Sequence, residues 1–337
     1  MVTIADVARH AGVAPSTVSY VLTGRRSISP ATRARVEASV RALGYHPHAG
    51  ARSLASNRAN VLALVLPMRE GMNLPVLMQF VVAVAHAARG HEHDVLLVTA
   101  DQGAAGLRRV AGSAQVDGLL VMDVEMHDER VPVLRELERP SVLIGFPADA
   151  AGLTCVDLDF AEAGARCVDH LADLGHRSVA LVGAPRAVYE RDTGFAHRCM
   201  AGFSAAAMRR GISSTTLPTE TDHSSVRAAV TGLLDRHPTV TGLVVHNEAA
   251  LPSVLEALRA LGRDVPDDIA VVAICPDDLA DRLSPELTSV QLPAEQLGHR
   301  AVELLMAKLN RGRVAPLTLL RPRLVERAST AARAGRR

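Results

Sequence analysis

From Val61 onward the chain alternates between short runs that are apolar at every position and longer stretches in which apolar residues recur every third or fourth place. The runs are Val61 to Leu66 (closed by Pro67), Val95 to Val98, Gly118 to Val121 and Val142 to Ile144, then Val179 to Gly183, Gly242 to Val245 and Ile269 to Ala273. Helical spacing fills segments between them, among them 77–89, 160–174, 203–210 and 251–261. A strand that is apolar throughout is buried on both faces, which happens when helices cover both sides of a parallel sheet. Two successive sets of such units predict an α/β body of two doubly wound parallel-sheet lobes. Any ligand would lie in the cleft outside the strands' C-terminal ends.

The first sixty residues carry a different pattern. Thr3 with Asp6 three places on is a capping-box start, and Ile4, Val7, Ala8 and Ala11 follow at helical spacing up to Gly12. Pro15 suits the first position of a second helix, in which Val18, Val21 and Leu22 share one face. Ser16, Thr17, Ser19 and Tyr20 fall on the other faces, and Gly24 ends it. Ser29-Pro30 starts a third helix that buries Val36, Val40 and Leu43 and stops at Gly44. Three short helices, the first two joined by a Gly-containing turn, predict a helix-turn-helix. The second helix, lined with small hydroxyls and one Tyr, suits a major groove, and Arg25 and Arg26 just after it suit flanking phosphates.

Charge supports that division. The net charge of +1 over 337 residues is uninformative taken whole. Residues 1–60 hold eight arginines against Asp6 and Glu37, a net of +6, while the rest holds 29 basic and 34 acidic residues, a net of −5. That is a basic nucleic-acid-binding arm on a mildly acidic body. Of the 37 basic residues only Lys308 is a lysine, which reflects coding bias and carries no nucleic-acid signal. Hydrophobic residues make up 48% of the chain, enough for large cores, and with aromatics at 2% those cores must be aliphatic. No apolar stretch approaches the ~18 residues of a membrane helix, and the N-terminus lacks signal-peptide order, so a cytoplasmic protein is expected. Cys155, Cys167, Cys199 and Cys275 have neither zinc nor disulfide spacing and are expected to be buried free thiols. His91-Glu92-His93-Asp94 reads as a solvated loop and Asp277-Asp278 as a polar loop, neither as a metal site. No nucleophile elbow, dinucleotide fingerprint, phosphate loop or zinc-protease motif occurs, so neither an enzyme nor a cofactor is expected.

The segment Thr3-Ile4-Ala5-Asp6-Val7-Ala8-Arg9-His10-Ala11-Gly12-Val13-Ala14-Pro15-Ser16-Thr17-Val18-Ser19 resembles the N-terminal signature of the lactose-repressor/galactose-repressor (LacI/GalR) family of bacterial transcription factors. The likeness continues through Ile28-Ser29-Pro30-Ala31-Thr32-Arg33, Leu43-Gly44-Tyr45, Pro47 and Ala51-Arg52-Ser53-Leu54. His170 to Arg177 and Leu287-Thr288-Ser289-Val290 with Leu297-Gly298 extend it over nearly the whole chain. The resemblance implies a helix-turn-helix headpiece (1–47), a hinge helix (48–58) and a periplasmic-binding-protein-like effector and dimerisation domain (60–330), then a basic tail (331–337). It implies three crossings between lobes, near 158, 288 and 317. The first lobe is then 60–158 with 289–316, the second 159–288 with 317–330.

By the same resemblance a homodimer would bind a pseudo-palindromic double-stranded operator. Pro15, Ser16 and Tyr20 would contact bases, and Thr3, Thr17, Ser19, Arg25, Arg26 and Arg52 the backbone. Leu54 would wedge the minor groove. The tail from Ala328 holds no leucine, which favours a dimer over a leucine-heptad tetramer. The expected effector residues are Phe160 and Asn247, which match family positions, together with Arg198 and Cys275. Here the chain departs from the family. Cys199 occupies the usual arginine position three residues before Gly202-Phe203, with Arg198 one place early, and Cys275 replaces the usual aspartate. Gly145-Phe146 replaces a polar residue, and Val76 and Leu77 an aromatic pair. A less polar ligand, a protein corepressor or no ligand becomes an alternative to a sugar. A periplasmic-type small-molecule binding protein fits the body alone.

Overall fold

A computed structural model describes residues 2–23, 26–45, 58–69, 72–100 and 102–333. Arg25, Arg52, Leu54 and most of the expected hinge lie outside them.

The head is three helices, α1 (Ile4–Ala11), α2 (Pro15–Thr23) and α3 (Pro30–Leu43). Thr3 caps α1 in a complete capping box with Asp6, and Gly12 ends it at φ 64°, a left-handed conformation that glycine adopts without a Cβ clash. Ser29 caps α3 and Pro30 fills its first turn, where a missing N–H costs nothing. Val7, Ala8, Ala11, Val18, Val21, Val36 and Tyr45 form a separate small core.

The body alternates strand and helix. Its first lobe contains β1 (Val61–Val65), α4 (Leu74–Gly90), β2 (Asp94–Val98), α5 (Gly103–Gly112), β3 (Gly118–Val121), α6 (Val131–Glu136), β4 (Ser141–Ile144) and β5 (Cys155–Leu158). The second contains α7 (Phe160–Asp173), β6 (Ser178–Gly183), α8 (Arg186–Glu190), α9 (Gly194–Arg210), β7 (Ser213–Pro218), α10 (His223–Arg236), β8 (Gly242–Val245), α11 (Leu251–Ala260), β9 (Ala270–Cys275), α12 (Asp277–Arg282) and β10 (Thr288–Gln291). The chain returns to the first lobe as α13 (Ala294–Leu309) and β11 (Leu317–Leu320), then adds β12 (Leu324–Val325) to the second. Among the described residues the sheet orders are β11-β5-β4-β3-β1-β2, all parallel, and β12-β10-β9-β8-β6-β7, parallel except for β12.

Alternation along each strand sends residues to opposite layers. Leu62, Leu64 and Leu120 pack under α4 and α13, and Ala63, Val65 and Leu119 under α5 and α6. In the second lobe Val179 and Leu181 face α7 and α9, and Ala180 and Val182 face α10 and α11.

Two crossings fall later than the sequence placed them. Strand 288–291 completes the second sheet through its register with β9, and 317–320 belongs to the first sheet, paired with β5 from Leu317↔Cys155. The chain therefore crosses after Gln291 and after Leu320. Helix α9 begins at Gly194, nine residues before the expected Phe203. Asp277-Asp278 opens a helix instead of lying in a loop.

Candidate nucleic-acid interface and ligand cleft

In the head, Pro15 and Ser16 stand exposed at the start of α2, with Thr17, Ser19 and Tyr20 half-buried along it. Val18 and Val21 on the inner side are almost fully buried, and they fix the rotation of the helix and so which side chains face outward. Arg26 is exposed, its guanidinium 5.9 Å from the Tyr20 ring centroid. That contact orients both groups on one surface. Thr3 is not a free hydroxyl: it donates to Asp6 Oδ2 at 2.7 Å and accepts from the Asp6 N–H at 3.3 Å. The Thr3 hydroxyl first, and then the Thr3 N–H that donates to the same Oδ2 at 2.9 Å, hold the Asp6 carboxyl below its ordinary range. His10 Nδ1 lies 3.0 Å from Ser39 Oγ, which in turn donates to the Arg35 carbonyl, tying α1 to α3.

Between the lobes lies a cavity of about 560 Å³. Helix α4 and the ends of β1, β3 and β4 supply the first wall, with Leu66, Val76, Leu77, Phe80 and Met122 facing the space. Opposite, Phe160, Phe195 and His246 form a three-ring cluster with centroids 5.5 to 5.6 Å apart. Burial pushes the His246 imidazole down to about 4, so it is neutral near pH 7. Its Nδ1 has no hydrogen-bond partner.

The charged lining was largely missed from sequence. Arg191 lines the cavity, its Nε buried and without a hydrogen-bond partner. Burial pushes the Glu248 carboxyl up to about 7, against an opposing hydrogen bond from Asn73 on the facing lobe. Asp157, also raised to about 7 by burial, leaves Oδ2 unpartnered at the cavity. Asp123 is raised by burial against the charge of Arg69, with which it forms an ion pair.

Of the four expected effector residues, the structure brings Phe160 and Asn247 to the cavity and leaves Arg198 and Cys275 outside its lining. Asn247 Nδ2 donates to the Thr219 carbonyl at 2.6 Å and anchors the loop after β7. Arg198 is held behind the cavity wall, where its charge acts on Asp157: its guanidinium lies over the Phe146 ring and Nη2 donates to the Pro147 carbonyl at 3.4 Å. Position on α9 decides this, since one residue is a rotation of ~100° about the axis. Cys275, the last residue of β9, is fully buried on the α10–α11 side of the second sheet, where burial raises its thiol to about 12. Arg191, in the short connection between α8 and α9, is the cationic group that reaches the cavity. The Glu190-Arg191-Asp192 charge cluster before the helix was its available signal.

The lobes also join beside the cavity. Glu125 and Thr193 form an isolated antiparallel bridge, the Gly194 N–H donates to Val124 O at 2.9 Å and the Met126 N–H to Asp192 O at 2.7 Å. The Asp192 carboxylate sits between His127 Nδ1 (2.6 Å) and His197 Nε2 (3.2 Å). No helix among the described residues is long and apolar enough to cross a membrane.

A small basic helix-turn-helix joined to a two-lobed sheet body with an interlobe cavity defines a class of DNA-binding regulators. Residues 3–48 match the profile of bacterial regulatory proteins of the lacI family, and residues 168–330 that of the periplasmic binding protein-like domain. The HTH-type transcriptional regulator CelR of Thermobifida fusca is 31% identical over 94% of this chain and 95% of its own length. Catabolite control protein A of Priestia megaterium is 28% identical over 96% and 98%. Among solved structures, a CelR–cellobiose complex superposes with a TM-score of 0.70 at 28% identity, covering 98% of this chain and 100% of that one. A Lac repressor dimer bound to operator and an anti-inducer shares the fold at a TM-score of 0.85 and 23% identity over 98% and 99%. The chain belongs to the LacI family of transcriptional regulators, and its relatives are regulators, not enzymes.

Proposed function

We propose that the chain is a cytoplasmic, sequence-specific repressor that binds a pseudo-palindromic operator as a homodimer and is modulated by a small molecule in the interlobe cleft. The observation that carries this reading is the pairing of an independently cored head, whose α2 presents Pro15, Ser16 and Tyr20 outward, with a 560 Å³ cavity between two lobes. Arg26 with Arg25 beyond α2, Thr17 and Ser19 along it, and Arg52 in the hinge would hold phosphates, which supply affinity without sequence information. Thr3 would contribute through the α1 N-terminus it caps. Leu54 would enter the minor groove.

Leu74 and Val82 on α4 are each 51% exposed and offer apolar surface for self-association. The cleft favours a ligand with an apolar body, stacked on Phe160 and Phe195, and a hydrogen-bonding group directed at Arg191. Selection of duplexes from a random pool by the full-length protein, followed by fluorescence anisotropy, tests the DNA reading. The expected product is two inverted half-sites; failure to enrich any sequence would remove it. Isothermal titration of a panel of aromatic, aliphatic and carbohydrate compounds tests the cleft, with the first two groups expected to bind.

A further inference from the structure

Where the chain leaves the DNA-binding arm and enters the body, its backbone is held by one side chain. The Ala59 N–H donates to Asp117 Oδ1 and the Asn60 N–H to Asp117 Oδ2, each at 2.7 Å. His93 Nε2 lies 3.5 Å from the same Oδ2, and both side chains are 6% exposed. His93 is therefore buried, not part of a solvated loop, and its Nδ1 lies 2.7 Å from the His91 carbonyl oxygen. Asn60 has φ 53°, a turn that Asn tolerates better than most residues, and its carbonyl accepts from the Asp94 N–H. The Asp117 N–H closes the arrangement on the Val61 carbonyl at 2.8 Å. Residues 59–61 are thus fixed to the start of β3 where β1 begins.

Strand β3 lies inside the first sheet, between β1 and β4, and is buried at every position. At Gly118 a Cβ would stand 2.9 Å from Leu305 and 3.1 Å from the Pro140 carbonyl, so its start is packed against α13 and the neighbouring backbone. At its other end Met122, Asp123 and Val124 line the cleft, and Val124 to Met126 form the interlobe bridge. From Asp117 to Asp123 a strand spans about 20 Å. Close-packed interiors pass displacement along such an element instead of absorbing it.

We infer that Asp117 is a positioning residue for DNA binding: it ties the exit of the DNA-binding arm to β3, so that a change in the cleft and interlobe bridge at one end of this strand re-aims the arm at the other. This rests on the operator-binding reading above. A coupling element of this kind needs two sites and an element that both bias, and here β3 joins them.

The test uses the full-length protein and two duplexes, one selected from a random pool by the wild type and one scrambled. Asp117→Asn keeps the shape and one acceptor but turns an amide N–H toward a backbone N–H. Selected-duplex affinity should fall about tenfold, the cost of one hydrogen bond to a charged group. Scrambled-duplex affinity should stay unchanged at temperatures where the variant is folded, whatever its loss in melting temperature, a split that a merely structural role would not produce. Asp117→Ser, which removes the carboxylate and places no amide N–H against the backbone donors, should reproduce the split if Asp117→Asn does not fold. Selected-duplex affinity within about twofold of wild type in a folded variant, or an equal loss on both duplexes, would overturn the inference. If the wild type enriches no duplex, the operator reading fails and takes this inference with it.

Discussion

Tyr20 is the largest side chain on the outward side of α2, and its ring is flanked by Arg26. Tyr20→Ala is expected to cost about 1–3 kcal/mol at particular base pairs of a selected duplex, measured by anisotropy across single-base variants. An even loss across all variants would assign the ring to the phosphate backbone. Elsewhere Arg130 is a heavily bonded buried cation, 7% exposed. It donates to Asp128 through Nε (2.9 Å) and Nη2 (2.6 Å) and to the carbonyls of Met122 and Asp123. Against the pull of burial, these bonds and the Arg130 charge hold the Asp128 carboxyl low. Arg130→Met would strand a buried carboxylate and two carbonyls, and urea denaturation should show a loss of about 3–5 kcal/mol. Recovery of wild-type stability in that variant would show the pair to be dispensable.

At the scale of elements, α7 and α9 meet backbone to backbone. A Cβ at Gly202 would stand 1.9 Å from the Ala161 carbonyl oxygen, and one at Gly164 2.4 Å from that of Cys199. Gly202→Ala must push the helices apart, at an expected cost of about 1–3 kcal/mol, with a lower melting temperature and intact DNA binding below it. Operator affinity lost at temperatures where the variant is folded would contradict that separation of roles.

This scale also shows what the sequence made legible. Strands such as β1, β3 and β8 announced themselves because both faces are buried. β7, Ser213–Pro218, did not, because as an edge strand it is largely exposed and polar. The third crossing was misplaced because nothing in Leu317-Thr318-Leu319-Leu320 states which sheet will accept its hydrogen bonds. In the cleft, Phe160 and Asn247 were reached by position in strand–helix units. Arg191 was not, because spacing back from Gly202 says nothing of a connection that ends where α9 starts. The raised carboxyls of Asp157 and Glu248 arise from burial, a tertiary property with no local pattern.

For the whole molecule, the cleft makes stability depend on pH. A carboxyl whose folded value is raised keeps in the native state a proton that the unfolded chain releases. Its contribution is intact below the ordinary carboxylate range near ~4 and is lost as pH rises toward the folded value. For Glu248 that value is about 7. Glu248→Gln should therefore become progressively more stable than wild type between these limits, with the gap constant above them, in urea titrations at a series of pH values. A gap independent of pH would remove Glu248 as its source. Self-association belongs to this scale too. Val82→Glu, placed on the exposed side of α4, should yield monomers in sedimentation velocity and weaken operator binding; a persistent dimer would move the interface elsewhere.

The glycine contact between α7 and α9 also constrains any redesign of the sensor. It locks the helix that begins with Phe160 to the helix that carries Phe195 at its second position, so a backbone junction sets the spacing of the two rings in the aromatic floor of the cleft. The opposite wall has a tether of its own, since a Cβ at Gly298 on α13 would stand 2.7 Å from the Ala83 side chain and 3.2 Å from the Val84 nitrogen of α4, but Val76, Leu77 and Phe80 project from α4 outside that contact. Redesign of the sensor for a new compound would begin with those three side chains, which can change without touching either glycine junction.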